Sequence, residues 1–188
     1  VTSLASGSTS VTIYSKDGNS KKTVRVKVAE GTIRTTTKGN VKGTKSSDAA
    51  SLIWYGIPYG ASTGGTNRWK APQPVSAWSG TWNASIPKSG AACYGDGTNY
   101  QGTEDCLYVN IYRPNTTEKN LPVMVYLHGG GNASGTANTD FSKFAVAAKA
   151  VVVSVEYRLG AFGYLSHPAL QTGTAEENSG NFTLLDIK

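Results

Sequence analysis

The sequence predicts an α/β fold in which an antiparallel meander of strands leads into a mostly parallel central sheet. Two apolar, β-branched runs at residues 121–127 and 151–157 are typical of buried strands. Between them, residues 141–150 place several apolar side chains on one face of a helix. Strand, helix and strand in this order require a right-handed crossover, which makes the two strands parallel.

The first 50 residues form the predicted meander at the edge of the sheet. Residues 10–14 and 23–28 alternate apolar with polar side chains, and Asp17-Gly18 between them is a hairpin-turn signal. Residues 51–188 then supply the strands of the central sheet, a cysteine-bounded loop and a glycine-rich loop. We therefore predict a single domain built from these two parts.

The net charge of +6 comes entirely from the meander. Residues 1–50 contain nine Lys or Arg against three Asp or Glu, whereas residues 51–188 contain nine of each kind. At residues 21–28 the basic side chains alternate with Val and Thr, as on the solvent-facing side of a strand. A nucleic-acid surface is the alternative, but interleaved aromatic residues and a nucleic-acid motif are both missing. We predict no nucleic-acid partner.

The length of 188 residues allows one sizeable core. No apolar run reaches the length of about 18 residues that spans a bilayer, so we predict no membrane span. The N-terminal residues lack a basic segment followed by an apolar one. We expect any signal peptide to have been removed already.

The sequence contains two cysteines, Cys93 and Cys106. In a chain rich in Gly, Ser, Thr and Asn, a local disulfide between them would imply an oxidising compartment. Two reduced, buried thiols are the alternative. A mass shift of two hydrogens on reduction distinguishes the two states.

The remaining elements follow from local patterns. Residues 52–60 form an aromatic strand, and residues 106–114 alternate apolar and polar side chains up to a proline. Residues 158–180 are predicted to form a long loop. Asn181 is placed to cap a helix that begins near Phe182.

The predicted last helix has made barely one turn when the chain reaches Lys188. A single helical turn is not a stable terminus, because helix nucleation is costly. We therefore expect the chain to be a fragment that a second polypeptide completes.

The strand at residues 121–127 ends in the motif His128-Gly129-Gly130-Gly131. Three successive glycines cost backbone entropy, but they let main-chain N–H groups converge on one point. After a buried strand, this geometry suits an anion that forms only in a transition state. The same motif is the oxyanion-hole loop of lipases and esterases. A glycine-rich turn without chemistry is the alternative.

Seven sequence blocks, in order from about residue 26 to 188, resemble the type-B carboxylesterase/lipase family, which includes cholinesterases, bacterial esterases and fungal lipases. The family's versions read GIPYA, RF, WxG, SEDCLYLN, LPVxVWIHGGG, NYRLGxxGF and GNxGLxDQ. The corresponding blocks here are Gly56-Ile57-Pro58-Tyr59, Arg68-Trp69, Trp78-Ser79-Gly80, residues 104–110, residues 121–131, residues 155–163, and Gly180-Asn181 with Leu184-Leu185-Asp186.

The resemblance implies an α/β-hydrolase fold of which this chain is the N-terminal part. It also implies a Ser–Glu/Asp–His triad whose serine lies soon after Asp186, so this chain alone is expected to be inactive. By position in the motif, Gly130 and Gly131 would donate backbone N–H groups to the oxyanion. His128 would organise the loop without acting as a base.

The resemblance also implies structural contacts. Cys93 and Cys106 match the family's first disulfide. Arg68 with Glu104, and Arg158 with Asp186, match positions that form ion pairs in relatives. The sequence departs from the family pattern at four positions, none of them among the glycines: Asn132 in place of Phe, Glu156 in place of Asn, Thr183 in place of Gly, and Ile187 in place of Gln.

Two other residues, Ser62 and His167, are weaker candidates for a catalytic role. Ser62 lies in a G-x-S-x-G match, but no helix pattern follows it, as a nucleophile elbow requires. His167 precedes a proline in the predicted loop and has no visible carboxylate partner, so a surface histidine is favoured over a general base. No Cys/His cluster has the spacing of a metal site, and we predict no cofactor.

These observations predict a secreted serine carboxylesterase that hydrolyses small-molecule carboxylic esters through an acyl-enzyme. The remaining C-terminal chain, carrying the triad, is the predicted partner. The main alternative is a catalytically inactive, cholinesterase-like adhesion or binding protein. A stand-alone binding module is a third hypothesis, which a stable isolated chain would favour.

Overall fold

The computed structural model describes residues 31–88, 93, 102–171 and 173–188, and the backbone of two strands nearer the N-terminus. The ten described strands are β1 (Gly7–Tyr14), β2 (Lys21–Val28), β3 (Ile33–Thr36), β4 (Gly39–Lys42), β5 (Thr44–Lys45), β6 (Ser51–Pro58), β7 (Thr81–Asn83), β8 (Tyr108–Pro114), β9 (Val123–Leu127) and β10 (Val151–Val155). The helices are α1 (Ser142–Ala148), α2 (Gly160–Gly163), α3 (Ala175–Asn178) and α4 (Phe182–Ile187), with short 3-10 turns at Gly65–Asn67 and Pro168–Leu170.

The largest described sheet has the strand order β5-β6-β8-β10-β9. The predicted crossover is present, because α1 connects β9 to β10 and these strands pair in parallel from Val123↔Val151 to Leu127↔Val155. The other three pairings, β5 with β6, β6 with β8 and β8 with β10, are antiparallel. The sheet is therefore mixed, and parallel pairing is limited to the two strands that a crossover helix connects.

The predicted antiparallel strands of the first 50 residues are present, but β1 with β2 and β3 with β4 lie in sheets of their own, and only β5 joins the central sheet. β1 and β2 pair antiparallel over their full length, from Gly7↔Val28 to Tyr14↔Lys21. The predicted turn at Asp17-Gly18 lies outside the described residues. β3 and β4 form a second antiparallel pair, which β7 extends in parallel.

The core lies on both faces of the central sheet, because β6 is buried along most of its length. On one face Leu52 and Trp54 pack with Val41 and Ala84. On the other, Ile53 and Tyr112 pack with Val152 and with Ala145 of α1. The small Ala145 faces the sheet and is fully buried, so the helix can approach closely.

The segment predicted as a buried strand at residues 121–127 is instead exposed in β9. Val123, Val125 and Leu127 are 62%, 64% and 43% exposed. β9 is the last strand in the order of its sheet, so its outer edge has no partner strand within the described part of the chain. An apolar run predicts that a strand will be covered, but not by which polypeptide segment.

The predicted long loop at residues 158–180 contains α2, α3 and the 3-10 turn Pro168–Leu170. Each element has four residues or fewer, which is too short to produce a periodic apolar pattern. Thr174 caps α3 through a capping box with Glu177. The predicted Asn181 cap of α4 is confirmed, because the Asn181 side chain accepts a hydrogen bond from the Leu184 N–H. No helix in the described residues is long and apolar enough to cross a membrane.

Candidate functional site

The glycine loop, which we define as residues 128–137, follows β9 at its C-terminal end. Gly130 has φ +132° and Gly131 has φ +61°, a region of the backbone map that favours glycine. A Cβ on Gly130 would lie 1.9 Å from the carbonyl oxygen of Ser134. Position 130 therefore requires glycine on steric grounds, and position 131 on conformational grounds.

Several carbonyl groups of the loop accept hydrogen bonds, whereas the N–H groups of Gly130 and Gly131 are among those without a partner in the described structure. The carbonyl of Gly130 accepts from the N–H groups of Ala133 and Ser134, each at 3.1 Å. The carbonyl of Asn132 accepts from the Gly160 N–H at 2.7 Å. Gly130 and Gly131 are both exposed, and neither N–H donates a hydrogen bond to any part of the chain that is described. An exposed backbone N–H group without a partner is the kind of donor that can stabilise an anion.

Three contacts hold His128, which lies at the start of the loop. Its ring is stacked on the ring of Tyr157, with centroids 4.4 Å apart and an interplanar angle of 7°. The Tyr157 hydroxyl donates a hydrogen bond to the His128 carbonyl. The Nδ1 atom lies 3.0 Å from the carbonyl oxygen of Gly129, a pairing in which Nδ1 must be the donor. The side chain is only 3% exposed. These contacts support the prediction that His128 organises the loop.

Glu156 faces the other ring nitrogen of His128, with its Oε2 atom 3.5 Å from Nε2. Burial of the ring opposes its charged form, but the Glu156 carboxylate and the Gly129 carbonyl outweigh this effect and raise the pKa of His128. Oε1 of Glu156 accepts from the Thr136 hydroxyl at 2.6 Å and from the Ala137 N–H at 2.9 Å. The family pattern marked Glu156 only as a departure, and sequence reasoning gave it no role.

Both predicted ion pairs are present. Arg68 and Glu104 form a forked pair in which Nε donates to Oε1 at 2.6 Å. Arg158 and Asp186 are buried and connect the segment after β10 to α4, with Nη2–Oδ1 and Nε–Oδ2 distances of 2.6 and 2.8 Å. Thr183 donates its hydroxyl to the Arg158 carbonyl, so this departure from the family pattern adds a hydrogen bond beside the pair.

The predicted disulfide between Cys93 and Cys106 is confirmed, with a Cα–Cα distance of 5.3 Å. Both cysteines are almost fully buried, and they pack with Leu107. The alternative of two reduced thiols does not describe this structure.

Ser62 and His167 form no hydrogen bond or ion pair with the glycine loop in the described structure. Ser62 is exposed and is followed by the 3-10 turn Gly65–Asn67, not by the α-helix that a nucleophile elbow needs. Its hydroxyl accepts a hydrogen bond from the Gly64 N–H at 3.3 Å. His167 is exposed, and its Nδ1 accepts from the Ala169 N–H at 3.1 Å to cap a 3-10 turn. Neither residue has a catalytic partner among the described side chains.

Comparisons with known proteins assign this fold to a defined class. The solved structure of a thermophilic PNB esterase superposes with a TM-score of 0.74 at 35% identity, covering 84% of this chain and 33% of that one. The fold is that of an α/β-hydrolase. The para-nitrobenzyl esterase of Bacillus subtilis (strain 168) is 39% identical over 163 residues, which is 82% of this chain and 32% of the relative. Thyroglobulin of Sus scrofa is 33% identical over 165 residues, which is 82% of this chain and 6% of that protein.

The carboxylesterase family model matches residues 29–188, and the chain belongs to the carboxylesterase family. The chain spans about a third of the length of the esterase relatives reported above.

Proposed function

We propose that this chain supplies the oxyanion hole of a serine carboxylesterase. The proposal depends on one observation: Gly130 and Gly131, shortly after β9, are exposed and their N–H groups have no partner in the described structure. In the reaction, a serine attacks the ester carbonyl, these N–H groups stabilise the negative oxygen, and water hydrolyses the acyl-enzyme. Removing one such donor typically costs about 10²–10³ in turnover.

The catalytic serine, its acid and its histidine are proposed to lie on polypeptide beyond residue 188. The proposed position of the serine is soon after Asp186, a residue that Arg158 holds in place. β9 supports the same proposal, because it combines exposed apolar side chains with an edge that has no partner strand in the described structure, and such strands are normally covered. A strand seated there would end beside the glycine loop, since neighbouring parallel strands bring their C-terminal ends to one edge of the sheet.

The proposed substrates are small-molecule carboxylic esters, and the proposed location is extracellular. A disulfide between Cys93 and Cys106 supports an oxidising compartment.

The test compares Gly130→Ala with Gly129→Ala in the full-length protein, using p-nitrophenyl acetate as the substrate. A Cβ at Gly130 would collide with the Ser134 carbonyl, whereas a Cβ at Gly129 meets no atom within 4 Å. We expect Gly130→Ala to lower kcat/KM by about 10²–10³ and Gly129→Ala to remain close to wild type. Equal activities of the two variants would contradict the proposal.

A catalytically inactive binding protein is the second candidate. The similarity to thyroglobulin favours it, because that relative does not carry an esterase name. A fluorophosphonate probe distinguishes the two functions. Labelling of a serine outside residues 1–188 supports the esterase, and absence of labelling supports the binding protein. Labelling of Ser62 would contradict the assignment of the nucleophile.

A further inference from the structure

Glu156 contacts both ends of the glycine loop with one carboxylate. Its Oε1 accepts hydrogen bonds from Thr136 and Ala137 at the far end, at 2.6 and 2.9 Å. Its Oε2 lies 3.5 Å from Nε2 of His128 at the near end. The two glycines that bear the free N–H groups lie between these ends in sequence.

The backbone of Glu156 is itself fixed to the body of the domain. Its N–H donates to the Tyr108 carbonyl of β8 at 2.9 Å. Its carbonyl accepts from the Tyr59 hydroxyl at 2.7 Å, and Tyr59 follows β6. The carboxylate therefore projects from a backbone that two other strands or their extensions hold. The Glu156 side chain therefore connects the glycine loop to the sheet.

The pairing of Glu156 with His128 is fully enclosed. Both side chains are 3% exposed. Nε2 of His128 and Oε2 of Glu156 are buried, and neither atom has a hydrogen-bond partner among the described residues. When His128 is protonated, its charge lies against the Glu156 carboxylate, and a buried ion without such a partner is costly. The titratable groups that contact the His128 ring in the described structure are Glu156 and Tyr157, both from the segment at the end of β10.

Because the carboxylate reaches both ends of the loop from an anchored backbone, we propose that Glu156 is a positioning residue that clamps the glycine loop and thereby aims the Gly130 and Gly131 N–H groups. This inference rests on the proposed function for its catalytic consequence. Glu156 touches no reacting atom and acts through His128, Thr136 and Ala137. A misplacement of about 1 Å in a preorganised site costs about 10²-fold in rate, so a clamp of this kind would act mainly on kcat.

The experiment compares Glu156→Gln with Glu156→Ala in the full-length protein. Gln keeps the shape and an oxygen that can accept from Thr136 and Ala137, but it removes the charge opposite His128. Ala removes both contacts. Glu176→Gln is the matched control, because Glu176 is an exposed residue whose carboxylate pairs with Lys188. The readouts are the His128 imidazole titration by NMR, the Gly130 and Gly131 amide resonances, and kcat and KM with p-nitrophenyl acetate.

We expect Glu156→Gln to lower the pKa of His128 and to shift both glycine amide resonances. We expect Glu156→Ala to lower kcat by about 10²-fold with little change in KM, and Glu156→Gln to fall between Ala and wild type. Unchanged glycine resonances and an unchanged His128 titration in Glu156→Gln would overturn the clamp. If the NMR changes occur but the wild-type protein hydrolyses no ester, the clamp stands and the proposed esterase function fails.

Discussion

Arg158 and Asp186 form an ion pair that is almost completely buried, with side-chain exposures of 2% and 0%. Asp186 also accepts the Arg158 backbone N–H at 3.0 Å, so α4 is fixed to the segment that follows β10 by both side chain and main chain. The Arg158 guanidinium makes a further hydrogen bond to the Lys70 carbonyl at 2.8 Å. This one pair therefore connects three parts of the chain.

Replacing Asp186 with Asn should destabilise the fold, because the Arg158 charge would remain buried without compensation. We expect the free energy of unfolding, measured with urea, to fall by about 3–5 kcal/mol. Glu176→Gln breaks an exposed pair with Lys188 and should cost at most about 1 kcal/mol. Equal losses in the two variants would show that burial of the Arg158–Asp186 pair has no energetic consequence.

Removing the disulfide should also reduce stability. The disulfide joins residues 13 positions apart and restricts the unfolded chain. In the double variant Cys93→Ser with Cys106→Ser, the unfolded chain regains this conformational entropy. We expect a loss of about 3 kcal/mol in urea unfolding. Intact mass should rise by two hydrogens when the wild-type protein is reduced and denatured. A wild-type protein that gains no mass on reduction would contradict the disulfide.

The contact between His128 and Glu156 should make the free energy of unfolding decrease as the pH rises. Because the pKa of His128 is raised in the folded state, the stabilisation is fully present below the unfolded-state pKa of about 6.5. It is lost as the pH rises through the raised folded-state pKa. Urea unfolding at a series of pH values should therefore show wild type losing stability in this window more steeply than Glu156→Gln.

His167, the second histidine of the chain, provides the control for this pH dependence. It is exposed, so His167→Gln should keep the wild-type pH profile. If His167→Gln removes the profile and Glu156→Gln retains it, the effect does not come from the glycine loop.

The face of β9 that carries Val123, Val125 and Leu127 should be covered in the full-length protein. Val125 is 64% exposed in this chain, and Val125→Thr would place a hydroxyl in any interface that forms there. We expect a loss of about 1–3 kcal/mol in urea unfolding. Ile86 is 66% exposed and lies outside the central sheet, so Ile86→Thr is the matched control with an expected change near zero. A Val125→Thr effect equal to that of Ile86→Thr would argue against a segment covering this face.

Local patterns predicted most of the elements close to their observed bounds. The helix expected at residues 141–150 is α1 (Ser142–Ala148), and the strand expected at residues 151–157 is β10 (Val151–Val155). Periodicity succeeds for α1 because one face of the helix packs against the sheet, and the apolar β-branched run of β10 succeeds because that strand lies inside the sheet. It failed at residues 158–180, where elements of four residues or fewer are held by caps and tertiary contacts.

The sequence predicted the glycines of the candidate site but not the role of Glu156. The glycine motif identified Gly130 and Gly131, because a backbone position at positive φ favours glycine and is therefore visible in the sequence. Glu156 was visible only as an unusual residue, since its contacts to His128, Thr136 and Ala137 join positions 19 to 28 residues apart. No periodic pattern encodes contacts at that separation.

By itself, the sequence determined the order of strands and helices, the glycine corner after β9, and the residue pairs that family resemblance could match. These features depend on side-chain size, hydrophobicity and backbone freedom at neighbouring positions. The tertiary structure decided that most strands of this sheet pair antiparallel, that the apolar β9 is an exposed edge, and that one buried carboxylate reaches both ends of the glycine loop. Those outcomes depend on which distant segments share a surface, and only the folded chain brings such segments into contact.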